Sequence, residues 1–336
     1  LANKNFDVNI WTGTGTTAQN ITNSGAFQPD LVWIKGRSGA YWHELFDPIR
    51  GVNKPLFSNV TNVEANYTSM TAFLSNGFTV QDNGTTNQGT NAPGATFVGW
   101  QWKGGNGTVS NTSGSITSTV SANSTAGISV ITYTAPSGSG DFTFGHGLGV
   151  VPKLFITRFT TQVSNWCVYH ESVGASAFLK LNTTDASTSS SGCFGTGPTS
   201  SLITIKQSAI LGAAGACVAY AFAEVAGFSK IGSYTGNGSA DGPFVYCGFR
   251  PRWILCKNTD AGTEAWTIID AARNTHNVAN ARLFPNLANA ESTGDNVADI
   301  LSNGFKLRST DAATNASRAY IFIAFAEAPF NYSRAR

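Results

Sequence analysis

Charge is what this chain has least of. Only 12% of its 336 residues are Asp, Glu, Lys or Arg, about half the share of an ordinary globular protein. The net charge is +2 and no basic block occurs, so the electrostatic footprint of a nucleic-acid binder is missing. The five cysteines, Cys167, Cys193, Cys217, Cys247 and Cys256, form no CxxC pair, and an odd number excludes a complete disulfide framework. Cys217, Cys247 and Cys256 lie in apolar strand-like runs, where buried free thiols are expected. No apolar stretch approaches the ~18 residues of a membrane span, so no membrane insertion is expected. The opening "LANKNFDVNI" has neither the basic nor the apolar region of a signal peptide. It also lacks an initiating Met, and the expectation is a processed product or a piece of a longer polypeptide.

The familiar catalytic signatures are missing too. No Ser has Gly two positions before and after it, which excludes a nucleophile elbow. There is no P-loop, no HExxH and no EF-hand loop. Neither a catalytic residue, nor a metal ligand, nor a cofactor is expected. Polarity comes instead from Asn, Thr, Ser and 36 Gly, a composition suited to exposed β-rich proteins.

What the chain does contain is repetition, the first thing to look for because missing it misreads the fold. "FQPDLVWIK" at Phe27, "VVPKLFITR" at Val150 and "FRPRWILCK" at Phe249 share a turn proline followed by an apolar run. Four landmarks recur in order: an aromatic-Thr opening (Trp11, Tyr133, Tyr234), the proline (Pro29, Pro152, Pro251), a tryptophan (Trp42, Trp166, Trp266) and a closing run ending near Trp102, Phe222 and Phe325. Their offsets are 122, 123, 124 and 120 between the first two copies, and 101, 99, 100 and 103 between the last two. Such constant spacing indicates tandem duplication. The longer first interval is explained by the Gly/Ser/Thr/Asn-rich stretch from Gly104 to Gly127, read as a linker or exposed hairpin.

Copies one and three are closest. Both contain "LSNGF", at Leu74 and Leu301, with Glu64 and Glu291 ten residues upstream. Both pair an aspartate with an arginine three positions on, Asp47 with Arg50 and Asp270 with Arg273. Copy two lacks these and is the divergent member. The apolar runs are short, rich in β-branched and aromatic residues, and bounded by Gly, Asn, Asp or Pro, which is strand chemistry. Only Val63, Tyr67, Met70 and Leu74 have helical spacing, predicting a short helix or turn closed by Gly77. The fold expected is all-β: three tandem homologous β-sandwich, jelly-roll-like domains. Their predicted bounds are 1–103, 128–228 (divergent) and 229–336, with 104–127 between the first two. They either pack about a pseudo-threefold axis or string out as beads.

Candidate chemistry is thin. His43, His146, His170 and His276 are scattered, and His146 in a glycine-rich turn reads as structural or exposed. The doublets His43–Glu44 and His170–Glu171 point to opposite faces of a strand and share no site. The Asp47/Arg50 and Asp270/Arg273 pairs have two readings. One is a bidentate bridge that fixes a loop. The other is recognition of a sugar or carboxylate, with Trp42 or Trp266 as a stacking platform. No two acids are placed together as glycoside hydrolysis requires.

The motif set "FQPDLVWIK … FDPIRG … LSNGF", the stretch "NTSGSITSTVSANSTAGISVITYT", "GHGLGVVPKLFI" and "GFSKIGSYTGNGSADGPFVYCGFRP" resembles a repeated domain of tailed-bacteriophage virion proteins of the marine phage type, tail-fibre-like. The resemblance covers nearly the whole chain. It implies a structural or host-recognition role in the virion, with other virion proteins as partners, a homo-oligomer such as a trimer, and a host surface glycan as ligand. It brings no catalytic residue. Copy two departs from the Asp–Arg and "LSNGF" pattern, so a site built on them occurs at most twice. The expected function is a tail-fibre or receptor-binding appendage of a virion, with a capsid decoration or head-fibre protein as the alternative. A lectin and a glycan-degrading enzyme are the readings from other classes.

Overall fold

The apolar runs form strands, and their pairing repeats with the sequence copies. In copy one the sheet order is Phe6–Thr12, Thr96–Trp102, Leu31–Gly36, His43–Phe46 and Leu56–Phe57. Copy three repeats it with Ser229–Thr235, Ala319–Ala326, Pro251–Asn258 and Thr267–Asp270. Copy two does so with Ile128–Ala135, Gly215–Phe222, Leu154–Phe159, Cys167–His170 and Ala177–Lys180. In each copy the last strand therefore lies between the first and second, covered on both faces, as its continuous apolar sequence requires. Registers fix the equivalences: Phe6, Ile128 and Ser229 pair with Trp102, Phe222 and Phe325. Those three residues pair on their other side with Leu31, Leu154 and Trp253.

A second, smaller sheet accompanies each. Gln19–Thr22, Gly77–Val80 and Met70–Leu74 form it in copy one, and Phe244–Tyr246, Gly304–Leu307 and Ala298–Leu301 in copy three. Copy two has only Asp141–Gly145 paired with Leu202–Lys206. The "LSNGF" glycine serves a close approach here. A Cβ on Gly77 or Gly304 would collide with the carbonyl of Ile21 or Val245 on the neighbouring strand.

This computed structural model describes residues 2–327, which are all-β in six sheets apart from two four-residue helical turns, Ala2–Asn5 and Gln207–Ile210. The stretch from Gly104 to Gly127 is the hairpin of its two readings: Val109–Asn111 pairs with Ser118–Asn123, which extends the sheet of copy two. The helix expected around Val63 to Leu74 does not form. Met70–Leu74 is a strand, and the preceding segment is drawn out by bonds to copy two, including Glu64 N–H to Thr160 O at 2.8 Å. Tertiary pairing outweighs a four-residue periodicity.

One apolar core joins all three copies. Trp102, Phe222 and Phe325 converge with ring centroids 6.4, 5.7 and 5.9 Å apart. Around them Leu31, Leu154, Trp253, Trp33, Ile156 and Leu255 enclose a cavity of about 20 Å³, room for roughly one water in an apolar setting. Trp253, Ile254 and Leu255 of "FRPRWILCK" are 2, 1 and 2% exposed.

Candidate functional site

Each sequence copy ends its apolar opening run on a cation: Lys35, Arg158 and Lys257. All three are fully buried. Burying an unpaired charge is costly unless it is hydrogen-bonded, and here main-chain carbonyls do the bonding. Each binds a carbonyl beside it on its own strand, Lys35 Nζ to Gly36 O at 2.7 Å, Arg158 Nε to Phe159 O at 2.9 Å and Lys257 Nζ to Asn258 O at 2.7 Å. Each then reaches into a different copy: Lys35 to Ala288 O at 3.0 Å, Arg158 to Thr61 O at 3.0 Å and Lys257 to Thr184 O at 3.1 Å. Burial lowers Lys35 to about 7, helped by the charge of Arg273, and lowers Lys257 to about 8 and Arg158 to about 10.

Four residues before each accepting carbonyl lies another. His43 Nε2 meets Phe284 O at 2.9 Å, Trp166 Nε1 donates to Phe57 O at 2.6 Å and Trp266 Nε1 to Lys180 O at 2.9 Å. Three residues after the first carbonyl, a backbone amide donates back. Glu291, Glu64 and Ser187 bond the carbonyls of Arg37, Thr160 and Thr259 at 2.8, 2.8 and 2.9 Å. The three loops also share an anchor: Asn59, Asn182 and Asn286 accept from the amides of His43, Trp166 and Trp266 at 3.0, 2.8 and 2.9 Å. The sense never reverses. Copy one reaches to three, two to one and three to two, which is head-to-tail association closed on itself.

The predicted Asp–Arg residues belong to these interfaces. Asp47 accepts from Arg50 Nε at 2.6 Å and from the hydroxyl of Tyr220, in copy two, at 2.9 Å. Asp270 accepts from Arg273 Nε at 2.6 Å and from Trp100 Nε1, in copy one, at 3.0 Å. A glutamate completes each cluster, Glu64 on Arg50 and Glu291 on Arg273, both at 2.8 Å. Asp47, Asp270 and Arg273 are buried, and so is Trp266. Arg50 lines a groove of about 370 Å³ with Glu64, Thr119, Thr132 and Thr134. Its five donors are nevertheless engaged by Asp47, Lys54, Glu64, Leu45 and Tyr220.

Of the two readings of the pairs, the geometry is that of the loop-fixing bridge. The sugar-recognition reading fails on access, because burial closes Asp47, Asp270, Arg273 and Trp266 to a ligand. The tryptophan alignment also slips by one in copy one. His43 occupies the position of Trp166 and Trp266, while Trp42 sits half-buried against Phe57 at 5.0 Å.

Copy two places His170 where the others have aspartate. Burial lowers it to about 4, so a neutral imidazole faces Phe322 O of copy three at 3.4 Å. His146 is buried rather than exposed and bonds Thr199 O at 3.1 Å. All five cysteines are free and buried. Among the described residues no three His, Cys, Asp or Glu gather as metal ligands.

Glu44 is a buried charge of the opposite sign to the three cations. It is fully buried without a cation and accepts from Ser69 Oγ, Gly89 N and Tyr67 OH at 2.9, 2.7 and 3.2 Å. Burial still pushes it up to about 7. The folded chain therefore holds a proton that the unfolded chain has lost above its ordinary value of 4.5. The stability this contributes is complete below that value and is lost as pH rises through 7. Glu44→Gln removes the titration, so its unfolding midpoint in urea gains on the wild type between pH 5 and pH 8. A constant difference across that range would contradict a protonated Glu44.

Among the described residues the exposed large aromatics are two. Phe244 and Tyr246, 45 and 63% exposed, share a face of the edge strand Phe244–Tyr246. Register places Asn20 and Thr22 at the same positions in copy one, and Thr143 and Gly145 in copy two. Neither these rings nor the buried cations were singled out from the sequence. The cations did leave a signal, one at the end of each repeated run.

A family profile described as a domain of unknown function, DUF7483, matches residues 2–329. No curated protein and no solved structure matches the chain.

Proposed function

The chain belongs to the DUF7483 family, whose description assigns no activity, and from that position we propose that it is a bacteriophage virion structural protein, a tail-fibre or receptor-binding appendage segment made of three tandem jelly-roll-like β-sandwiches. The observation that carries the recognition part is the Phe244–Tyr246 pair. The two residues lie two positions, about 6.6 Å, apart along one strand face, and copy one has polar side chains at the same positions. Two large exposed aromatics on one face form an apolar surface rimmed by polar residues, and flat rings suit the apolar faces of a neutral sugar. The strand itself is blunted against pairing with another chain, being three residues long, preceded by Pro243 and flanked by the Lys306–Asp241 ion pair at 2.7 Å. The rings are the contact, and the ligand is a host surface glycan. The titratable groups hold the copies together, which supports a role in architecture and not in catalysis.

Phe244→Ala and Tyr246→Ala are each expected to weaken binding to isolated host polysaccharide by about tenfold, measured by calorimetry, while Asn20→Ala changes nothing. Unchanged affinity in both ring variants would remove the recognition role. One observation favours the second reading, a capsid decoration or head-fibre protein: a chain that closes three equivalent interfaces within itself matches a local threefold without forming a trimer. Imaging labelled particles separates the readings, with signal on the tail expected for the appendage and on the shell for decoration.

A further inference from the structure

Two residues beyond each buried cation, the three copies present a side chain toward the loop of their neighbour, and the three places are filled differently. Backbone bonds fix the equivalence. The amides of Arg37, Thr160 and Thr259 donate to the carbonyls of Thr96, Ala216 and Ala319 at 2.6, 2.9 and 3.0 Å. Their own carbonyls accept from the amides of Glu291, Glu64 and Ser187 in the neighbouring copy. Between copies one and three the pair is arginine and glutamate. Arg37 grips Glu291 with both arms, Nε to Oε2 at 3.0 Å and Nη2 to Oε1 at 2.7 Å, while Arg273 Nη1 holds Oε2 from the glutamate's own copy at 2.8 Å. Between copies three and two both positions, Thr259 and Ser187, are uncharged. Between copies two and one the acid is kept and the arginine is not: Glu64 faces Thr160.

Glu64 is therefore half engaged. Its Oε2 accepts from Arg50 Nη1 at 2.8 Å, as Glu291 accepts from Arg273. Among the described residues no hydrogen bond reaches its Oε1. The side chain is 20% exposed, against 10% for Glu291. The space that an arginine at position 160 would occupy opens into the groove of about 370 Å³, which Glu64, Arg50 and Thr160 line together. The paired threonines Thr119 and Thr132 line it too. The charge of Arg50 is already answered by Asp47. Lys54, the other cation on the groove, is exposed, so water and salt screen its repulsion of a further cation.

We propose that this groove is a binding site for an alkylguanidinium cation, which takes the place at Glu64 that Arg37 takes at Glu291. A guanidinium fits because its planar donors match a carboxylate two at a time, and the twin site shows that fork formed while the second arginine stays on Oε2. Threonine hydroxyls both donate and accept, so Thr119 and Thr132 can bond the remainder of the ligand. A free alkylguanidine and an arginine side chain on a partner protein share this chemistry. The site does not depend on the Phe244–Tyr246 rings or on a glycan ligand.

Butylguanidinium and butylammonium, which differ only in the head group, test it on the full chain by backbone-amide NMR. Butylguanidinium is expected to move the Glu64 and Thr160 resonances with a dissociation constant of about 1 mM, leaving Glu291 and Arg37 unmoved because their place is filled. Butylammonium should bind about fivefold more weakly for want of the fork. The capped tripeptide acetyl-Gly-Arg-Gly-amide separates the sources: tighter binding than butylguanidinium assigns the groove to a partner's arginine, weaker binding to a free alkylguanidine. Thr160→Arg supplies the cation from within the chain and is expected to abolish binding. Should it fold poorly, Glu64→Gln keeps the shape and weakens binding by about tenfold. Arg37→Thr makes the reciprocal change, so butylguanidinium then moves the Glu291 amide as well. Silent Glu64 and Thr160 amides, equal binding of the two cations, or binding that survives both Thr160→Arg and Glu64→Gln would overturn the site.

Discussion

Arg273→Ala lowers the unfolding free energy by about 3–5 kcal/mol, the loss that follows when one member of a buried ion cluster is removed. Arg273 is fully buried and bonds Asp270, Glu291 and the carbonyl of Ile268. Without it, Asp270 keeps only Trp100 Nε1 and local backbone amides, and its charge has no cation against it. Arg50→Ala is expected to cost less, although the clusters look alike. Glu64 is 20% exposed where Glu291 is 10% exposed, so it recovers part of its hydration. The measurement is the urea midpoint and slope at pH 7 for both variants. A loss below about 1 kcal/mol for Arg273→Ala would mean that water reaches the cluster.

The tryptophans give the second large effect and an order within it. Trp253→Ala is expected to cost about 3–5 kcal/mol, because it empties the centre where four other aromatic rings touch it. Trp253→Phe should cost less than about 1.5 kcal/mol, since the Nε1 it removes is buried without a hydrogen-bond partner. Trp266→Phe falls between, at about 1–3 kcal/mol, because it breaks the bond to Lys180 O. Chemical denaturation of the three variants tests the ranking. If Trp253→Phe proved worse than Trp266→Phe, packing shape at the centre would outweigh hydrogen bonding at the seam.

Strand positions were legible because each apolar run carries its own boundary: Pro251 before Trp253, Gly304 after the "SN" turn, Gly36 after Lys35. The three copies were legible from spacing. Their closure was one of two arrangements left open, pseudo-threefold packing or beads, because it runs largely through main-chain carbonyls that leave no mark on composition. The buried cations were visible as letters, but a lysine ending a strand ordinarily reads as a solvated edge. The tryptophan register slipped because the position asks for a ring N–H donor, and His43 meets that as well as Trp166 or Trp266 do. The Asp–Arg pairs were found, and one of the two readings given them was right about their bridge. Their burial depended on Tyr220 and Trp100 arriving from other copies, which no local pattern announces.

The cations have a consequence for how such a chain can change over time. The groups that Lys35, Arg158 and Lys257 grasp in the neighbouring copy are the backbone oxygens of Ala288, Thr61 and Thr184, an alanine and two threonines. An oxygen of the main chain is present whatever amino acid bears it, so mutation in the grasped loop does not delete the handhold. The grasping residue is constrained, though lysine and arginine both serve, and in the grasped loop it is the anchoring asparagine, Asn59, Asn182 or Asn286, whose side chain is needed. The copies are thus free to drift apart in sequence while holding the same relative pose, which is how the second could lose its Asp–Arg pair and still keep its place in the ring.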